Sequence, residues 1–259
     1  MSVPEHDASL RQRVKRHDVM KGSFVKFTDP SSVEILGGAG FDFVVIDQEH
    51  GVFDRAAINL GLLACRAAGI AGVVRVPHLQ SEAIQAALDC GATGILAPHV
   101  STVEDARALV AACRYRGGQR GFSGVTRAGG YGANAMWSHI DAADASIAVI
   151  AMIEDPAALD NVADILAVEG LDAVFIGRGD LTVSFSAPSR NDAIVVKAVD
   201  RILDAAREAG KPVWVMVDSA EEVAAFLARG ATSFIISSDQ SMLRKAAAGI
   251  VNQLRSSGS

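Results

Sequence analysis

Short runs of apolar, often β-branched residues recur along the chain, each followed by a segment rich in Ala, Leu and Glu. The short runs predict buried strands, and the amphipathic segments between them predict helices. Strands are predicted over residues 23–27, 42–47, 72–76, 94–100, 147–154, 172–177, 213–218 and 233–238. The pattern therefore predicts about eight successive strand–helix units.

Glycine closes most of the predicted helices, at a position where the left-handed conformation commonly ends a helix. These glycines are Gly40, Gly69, Gly91, Gly170, Gly210 and Gly230. Residues 43–46 are apolar without alternation, which is typical of parallel strands covered on both faces. Eight units in about 250 residues favour a (β/α)8 barrel, the TIM barrel. A doubly wound dinucleotide-binding sheet is less favoured because no Gly-x-Gly-x-x-Gly turn follows the first strand.

The predicted barrel is one domain over residues 23–254. A polar segment or short helix precedes it over residues 1–22, and a flexible tail is predicted over residues 255–259. Residues 117–137 are long and glycine-rich for a connection, and are interpreted as either a mobile active-site loop or a surface excursion. Residues 182–191 are polar and follow the sixth strand, so we expect them on the active-site face.

Composition narrows the possible partners. Half of the residues are hydrophobic, which is enough for one large core. The 24 Lys and Arg residues are scattered, and 30 Asp and Glu residues give a formal charge of −6, which argues against nucleic acid or an anionic membrane as partner. With no long apolar run and no signal peptide, the sequence predicts a cytoplasmic protein. The three cysteines lie in apolar helical contexts and are expected to be small buried side chains.

In such barrels the chemically active residues lie where strands end and the following loops begin. The second predicted strand ends in Asp47, Glu49 and His50. A carboxylate beside an imidazole is a common arrangement for a general base. The alternative is that these polar residues only begin a loop.

Arg75 ends the third predicted strand, directly after an apolar run. A guanidinium at that place is costly unless it meets an anion, and its planar fork suits carboxylate or enolate oxygens. The alternative is a structural ion pair with a neighbouring acid.

Two acids follow adjacent strands: Glu154 ends the fifth strand and Asp180 follows the sixth. Two carboxylates without a Cys or His cluster indicate a site for a hard divalent cation, which water and substrate oxygens complete. Gly177 and Gly179 would let backbone N–H groups approach an anionic ligand. The alternative is that both acids are helix caps. His99, Asp218 and Asp239, which also follow strands, are weaker candidates.

Together these motifs resemble the HpcH/HpaI aldolases, the class II pyruvate aldolases. The matching segments, spread over most of the chain in the family's order, are AGFDFVVIDQEH at residues 39–50, Val74-Arg75, GATGILAP at residues 91–98, Met152-Ile-Glu154 and EGLDAVFIGRGDL at residues 169–181. The chain departs from many members at Gln48, Met152 and Arg178, where Gly, Gln and Pro are common. Arg178 adds positive charge, which could select an acidic aldehyde.

The resemblance implies a metal-dependent aldolase that reversibly cleaves a 4-hydroxy-2-oxo acid to pyruvate, or a related 2-oxo acid, and an aldehyde. Mg²⁺, Mn²⁺ or Co²⁺ would be held by Glu154 and Asp180, with backbone amides near Gly179 and Asp180 assisting the oxo acid. Arg75 would steady the enolate oxygen. The resemblance assigns proton transfer at the aldol hydroxyl to Asp47 and His50. Glu49 and Arg178 are added as substrate-binding candidates.

Three alternatives stay open at this point. The first is a citrate-lyase-β or malyl-CoA type of lyase that acts on a CoA thioester. The second is a Schiff-base aldolase using Lys26, which ends the first predicted strand. The third is a non-catalytic barrel that binds a metabolite. The resemblance further implies a homo-oligomer, typically a hexamer of paired barrels that exchange C-terminal helices. The apolar stripe at Met242, Ala246, Ile250 and Leu254 is compatible with that exchange, or with covering its own barrel.

Overall fold

A computed structural model describes residues 8–257 of the chain, and its strands close into a barrel. Each strand is parallel to the next, and β8 pairs with β1 to complete the ring. The strands are β1 Met20–Val25, β2 Phe43–Asp47, β3 Ala71–Arg75, β4 Gly94–Ala97, β5 Ala148–Ile153, β6 Ala173–Ile176, β7 Val213–Val217 and β8 Ala231–Ser238. The predicted (β/α)8 TIM barrel is confirmed.

Helices surround the barrel and connect its strands. They are α1 Leu10–Lys15, α2 Ser31–Gly38, α3 Arg55–Ala68, α4 Ser81–Asp89, α5 Val103–Cys113, α6 Met136–Ser146, α7 Pro156–Leu166, α8 Arg178–Ser184, α9 Ala193–Glu208, α10 Ala220–Leu227 and α11 Asp239–Ser257. The six glycines predicted to end helices all have positive φ, as the left-handed conformation requires.

The apolar side chains form two cores separated by the strands. One core lies between the strands and the helices, and the other fills the inside of the barrel. Because successive strand residues point to opposite faces, Phe43 and Val45 enter the barrel while Val44 and Ile46 pack under the helices. This alternation explains why the strands look continuously apolar in the sequence.

Aromatic rings fill the N-terminal half of the barrel. Phe43 and Trp214 are fully buried with ring centroids 4.5 Å apart. The lack of a side chain at Gly22 makes room for them, because a Cβ there would lie 2.1 Å from the Phe43 ring. The interior is therefore a packed core rather than a pore, and a ligand can enter only at the C-terminal mouth.

A charged cluster closes the opposite, N-terminal end. Asp172 lies just before β6 and is 5% exposed. Its carboxylate accepts hydrogen bonds from Arg11 Nε at 2.8 Å, from Arg114 Nη2 at 3.1 Å and from the Val149 backbone N–H at 3.0 Å. This buried acid is thus fully compensated by its neighbours.

The domain boundaries differ slightly from those predicted. β1 begins at Met20, whose side chain is fully buried, although the exposed Lys21 interrupts the apolar run in the sequence. At the other end α11 continues to Ser257, so residues 255–257 are helical rather than a flexible tail. Residues 1–7 and 258–259 lie outside the described residues.

Residues 117–137 lie on the flank of the barrel. They follow α5 and run into the first residues of α6, so they leave from the N-terminal end of the barrel. The Ala128 N–H donates to the Asp89 carbonyl at the end of α4, and Arg127 donates to Asn59 on α3. The interpretation as a mobile loop over the mouth of the same chain therefore does not hold.

No helix within residues 8–257 is both long enough and apolar enough to cross a membrane. The expected cytoplasmic location stays a prediction. The cysteines Cys65, Cys90 and Cys113 are buried and unbridged, as expected.

Candidate active site

The strand alternation that builds the inner core also carries polar side chains to the mouth. Asp47 continues the inward series of Phe43 and Val45, and Glu154 continues that of Ile150 and Met152. Arg75 likewise follows Val73 on β3. Every second residue of a strand points into the barrel. A charged residue that follows the inward-facing apolar residues of its strand therefore lies at the mouth.

Asp47 and Arg75 form a buried, two-pronged ion pair. They are direct partners in the register of β2 and β3. Arg75 Nε donates to Asp47 Oδ1 at 3.0 Å, and Arg75 Nη2 donates to Asp47 Oδ2 at 2.8 Å. Lys26 Nζ lies 3.1 Å from the same Oδ2. Burial opposes ionisation of Asp47, but Arg75, the His50 backbone N–H and Lys26 outweigh it and hold its pKa below the ordinary value.

The other edge of Arg75 is also fixed. Its Nη1 lies 2.9 Å from Glu49 Oε2, and its guanidinium lies 4.8 Å from the centroid of the Phe24 ring. Only 6% of the Arg75 side chain is exposed. The guanidinium is therefore held in one orientation by two acids and an aromatic ring.

His50 is placed differently from what the sequence suggested. Asp47 Oδ1 accepts a hydrogen bond from the His50 backbone N–H at 3.1 Å, not from its ring. The imidazole is 55% exposed and borders the cavity, with Nε2 3.7 Å from Glu49 Oε2. Asp47 therefore holds Arg75 and the backbone of the loop, and Glu49 is the acid that lies near the His50 ring.

Glu154 and Asp180 form the acidic side of the mouth. Glu154 is 2% exposed. Burial and the neighbouring Asp180 carboxylate raise the pKa of Glu154 to about 8, although the His99 backbone N–H opposes the shift by donating to Glu154 Oε1 at 2.9 Å. Gly177 leaves space here, because a Cβ at that position would lie 2.9 Å from Glu154 Oε2. Unlike Asp47 and Asp172, this pair lacks a compensating Lys or Arg among the ion pairs of the described residues.

This donor set fits a hard divalent cation that takes part of its coordination from elsewhere. Two adjacent carboxylates are costly without a positive charge, and oxygen ligands suit Mg²⁺, Mn²⁺ or Co²⁺. Within the described residues, no group of three or more His, Cys, Asp or Glu side chains is arranged to hold a metal. Glu154 and Asp180 can therefore supply two ligands, and water or substrate must supply the rest.

His99 is more central than its sequence position indicated. It has the unusual backbone angle φ 54°, which turns its N–H toward Glu154. Its ring Nδ1 lies 3.1 Å from Asp155 Oδ2, and its Nε2 lies 3.7 Å from Glu49 Oε1. Partial burial lowers the pKa of His99, but the surrounding acids outweigh it and raise the pKa above the ordinary value. The only sequence signal was its position just after β4.

Arg178 borders the cavity, but its guanidinium is already engaged. It donates to Glu222 Oε1 at 2.8 Å and to the Met216 carbonyl, and it lies over the Phe226 ring. This contact lowers the pKa of Glu222. Arg178 therefore joins the start of α8 to α10, and its expected role as a substrate-binding residue stays a prediction.

The charged groups surround one cavity of about 380 Å³. Its deeper wall is apolar, with Phe24, Met152, Phe175 and Met216. Its polar lining includes Lys26, His50, Arg75, Gly179, Asp180, Arg190, Ser238 and Ser241. Of the weaker candidates, Asp218 pairs with Arg190, while Asp239 accepts the backbone N–H groups of Lys26 and Phe27. The fold and this mouth together define a (β/α)8-barrel enzyme.

The profile of the HpcH/HpaI aldolase/citrate lyase family matches residues 21–246. The hydroxypyruvate/pyruvate aldolase of Roseobacter denitrificans is 32% identical over 242 residues, which are 91% of this chain and 92% of that protein. The 5-keto-4-deoxy-D-glucarate aldolase of Klebsiella pneumoniae is 33% identical over 232 residues, which are 89% and 90% of the two chains. The crystal structure of a Burkholderia cenocepacia member of the family superposes with a TM-score of 0.90 at 29% identity, covering 95% and 98% of the two chains.

The chain therefore belongs to the HpcH/HpaI aldolase/citrate lyase family, as the sequence motifs predicted. It is an enzyme of the carbon–carbon lyase class. The non-catalytic alternative is thereby set aside.

Proposed function

We propose that this chain is a divalent-metal-dependent aldolase. It reversibly cleaves a 4-hydroxy-2-oxo acid to pyruvate, or a related 2-oxo acid, and an aldehyde. The observation that carries the proposal is the pairing of two unlike charge centres across one cavity: the fixed Arg75 guanidinium and the uncompensated Glu154–Asp180 pair. The relatives named as hydroxypyruvate/pyruvate and 5-keto-4-deoxy-D-glucarate aldolases support the choice of a 2-oxo acid.

Glu154 and Asp180 would hold the metal, which when bound supplies positive charge next to the oxygens of the oxo acid. Asp180 lies in the first turn of α8, beside the exposed Gly179, so backbone N–H groups there can assist an anionic ligand. Arg75 donates to the keto oxygen as negative charge develops on it. Since its guanidinium is already oriented, little reorganisation is needed when the reaction occurs.

Proton transfer at the aldol hydroxyl requires a titratable group that borders the cavity. His50 meets this condition, with an exposed ring near the Glu49 carboxylate. Asp47 is fully buried and bound to Arg75 and Lys26, so we propose that it acts as a positioning residue for Arg75 rather than as a base. Glu49 holds the other edge of Arg75 and thus orients both groups.

The Schiff-base alternative is disfavoured by the contacts of Lys26. Its ammonium lies in an ion pair with Asp47, and a protonated amine has no lone pair to attack a carbonyl. If the reaction nevertheless uses this lysine, borohydride will trap the substrate on it.

The test is chelation followed by metal addition in an aldol assay with pyruvate and glycolaldehyde. We expect exhaustive chelation to abolish turnover and Mg²⁺, Mn²⁺ or Co²⁺ to restore it, because carboxylate sites of this kind exchange their ions. Full activity after chelation, with borohydride trapping at Lys26, would overturn the proposal.

We also propose that the enzyme is a homo-oligomer. From Leu243 to Ser256 α11 is exposed in the single chain, and Ile250 and Leu254 are 59% and 69% exposed. Met242 packs against its own barrel, but the outer part of the apolar stripe does not, which leaves exchange with another copy as the use of that part. Light scattering that shows only monomers at micromolar concentration would contradict this.

A further inference from the structure

Lys26 lies at the mouth in a defined position. It continues the inward series of Met20 and Phe24 beyond the end of β1, and its side chain is 25% exposed. The Asp239 carboxylate accepts the backbone N–H groups of both Lys26 and Phe27 at 3.0 Å. These two bonds fix the backbone from which the lysine reaches into the cavity.

The charge of Lys26 is not needed to stabilise Asp47. Arg75 already donates to both Asp47 oxygens, and the His50 backbone N–H adds a third donor. A lysine ammonium has three N–H donors, and one contact with Asp47 Oδ2 leaves capacity for further acceptors in the cavity. When a substrate displaces water from this cavity, such a cation is costly unless the substrate brings an acceptor or an anion.

The order of the strands indicates which half of the substrate Lys26 meets. In a closed ring of eight strands β1 lies opposite β5, which carries Glu154 at its end. An oxo acid bound at Glu154 and Asp180 leaves the wall near β1 and β8 for the aldehyde. Ser238 and Ser241 also border the cavity on that wall, so it is polar as well as cationic.

Two other cations that border the cavity are already paired. Arg178 is bound to Glu222, and Arg190 is bound to Asp218. Glu222 and Asp218 have no second cationic partner among the ion pairs of the described residues. Asp47, the partner of Lys26, is already paired with Arg75.

We propose that Lys26 is a specificity-determining residue that binds a carboxylate on the aldehyde substrate. The enzyme therefore prefers aldehydes that carry an acid over neutral aldehydes of similar length. This inference rests on the proposed aldolase function, because it assigns the second substrate of that same site.

The test compares kcat/KM for acidic and neutral aldehydes, with pyruvate saturating and Mg²⁺ present. Glyoxylate is paired with glycolaldehyde, and succinic semialdehyde with pentanal, so that two distances from the reacting carbon are sampled. The ratio within each pair cancels any effect of a substitution on the shared oxo-acid step. Lys26→Met removes the charge but leaves the Asp47–Arg75 pair, and Lys26→Arg keeps the charge. Lys21→Met, at the opposite end of β1 and exposed, is the matched control.

We expect the wild type to favour the acidic member of at least one pair. Lys26→Met should lower that ratio at least tenfold, mainly through KM, as loss of a charge-assisted hydrogen bond typically does. Lys26→Arg should keep most of the preference, and Lys21→Met all of it.

Three results would overturn the inference. One is a wild-type enzyme that condenses pyruvate with neutral aldehydes equally well, and another is a Lys26→Met ratio equal to that of the wild type. In both cases the proposed aldolase function survives. The third is a wild type that condenses pyruvate with none of the four aldehydes under any of the metals, which overturns the aldolase function together with this inference.

Discussion

Two buried carboxylate sites at opposite ends of the barrel have opposite electrostatics. At the N-terminal end Asp172 is bound by Arg11, Arg114 and a backbone N–H. At the mouth Glu154 and Asp180 face each other with no Lys or Arg partner among the ion pairs of residues 8–257, and the pKa of Glu154 is raised to about 8. A buried acid with full compensation holds the structure together, whereas an uncompensated pair is a cost that the fold sustains at a functional site.

The Asp47–Arg75 pair combines features of both sites. It is compensated like Asp172, but its arginine borders the same cavity as Asp180. Asp47 fixes the Arg75 guanidinium where negative charge would develop on the substrate, so we propose that this ion pair positions the arginine. The comparison thus separates three uses of buried acids in one barrel: closing it, orienting an arginine and, as proposed, binding a metal.

The largest effect is expected from the uncompensated pair. Glu154→Gln or Asp180→Asn should abolish measurable Mn²⁺ binding in a calorimetric titration, and aldolase turnover with it. Above pH 8, where Glu154 loses its proton, the same variants should unfold at a temperature equal to or above that of the metal-free wild type, since they remove repulsion between two acids. Unchanged metal affinity in both variants would contradict the assignment.

A smaller but still large effect is expected at Arg75. Arg75→Lys keeps the charge but cannot donate to both Asp47 oxygens and keep the ion pair with Glu49 at once. The expected loss in kcat is roughly 10²–10³-fold, as for the removal of one electrostatic donor in other enzymes. Steady-state kinetics that show near wild-type turnover would reduce Arg75 to a structural role.

At the N-terminal end the effect should fall on stability alone. Asp172→Asn leaves the buried Arg114 and the half-buried Arg11 without their counter-charge, and breaking such a pair costs about 3 kcal/mol. The melting temperature should fall by roughly 2–4 °C per kcal/mol. Activity per folded molecule should stay near that of the wild type. An Asp172→Asn variant with normal stability and reduced kcat would contradict the assignment of stability to the N-terminal end and activity to the mouth.

Much of the site could be predicted because strand geometry is simple. Once the strands were placed, the period of two carried Asp47, Arg75 and Glu154 to the mouth, and glycine positions marked the helix ends. The family motifs supplied the roles that the residue types left open. Those roles stay predictions until the variants are measured.

The partners of the charged groups could not be predicted from the sequence. Arg178 is bound by Glu222, which lies 44 residues later on another helix. The role of His99 depends on a positive φ that its residue type does not reveal. By contrast, the place of residues 117–137 could have been inferred, because a segment between a helix and the next strand leaves from the N-terminal end of a barrel.

The most direct measurement is exchange of the pyruvate methyl hydrogens with deuterated water, without aldehyde, followed by NMR. The account requires that the site stabilise the enolate of pyruvate alone, through Arg75 and the metal at Glu154 and Asp180. We expect exchange that needs a divalent metal and falls in His50→Ala, because His50 is the proposed proton-transfer group. Absence of exchange with every metal tested, or exchange of acetyl-CoA while pyruvate stays inert, would contradict the account, and the second result would support a CoA-ester lyase instead.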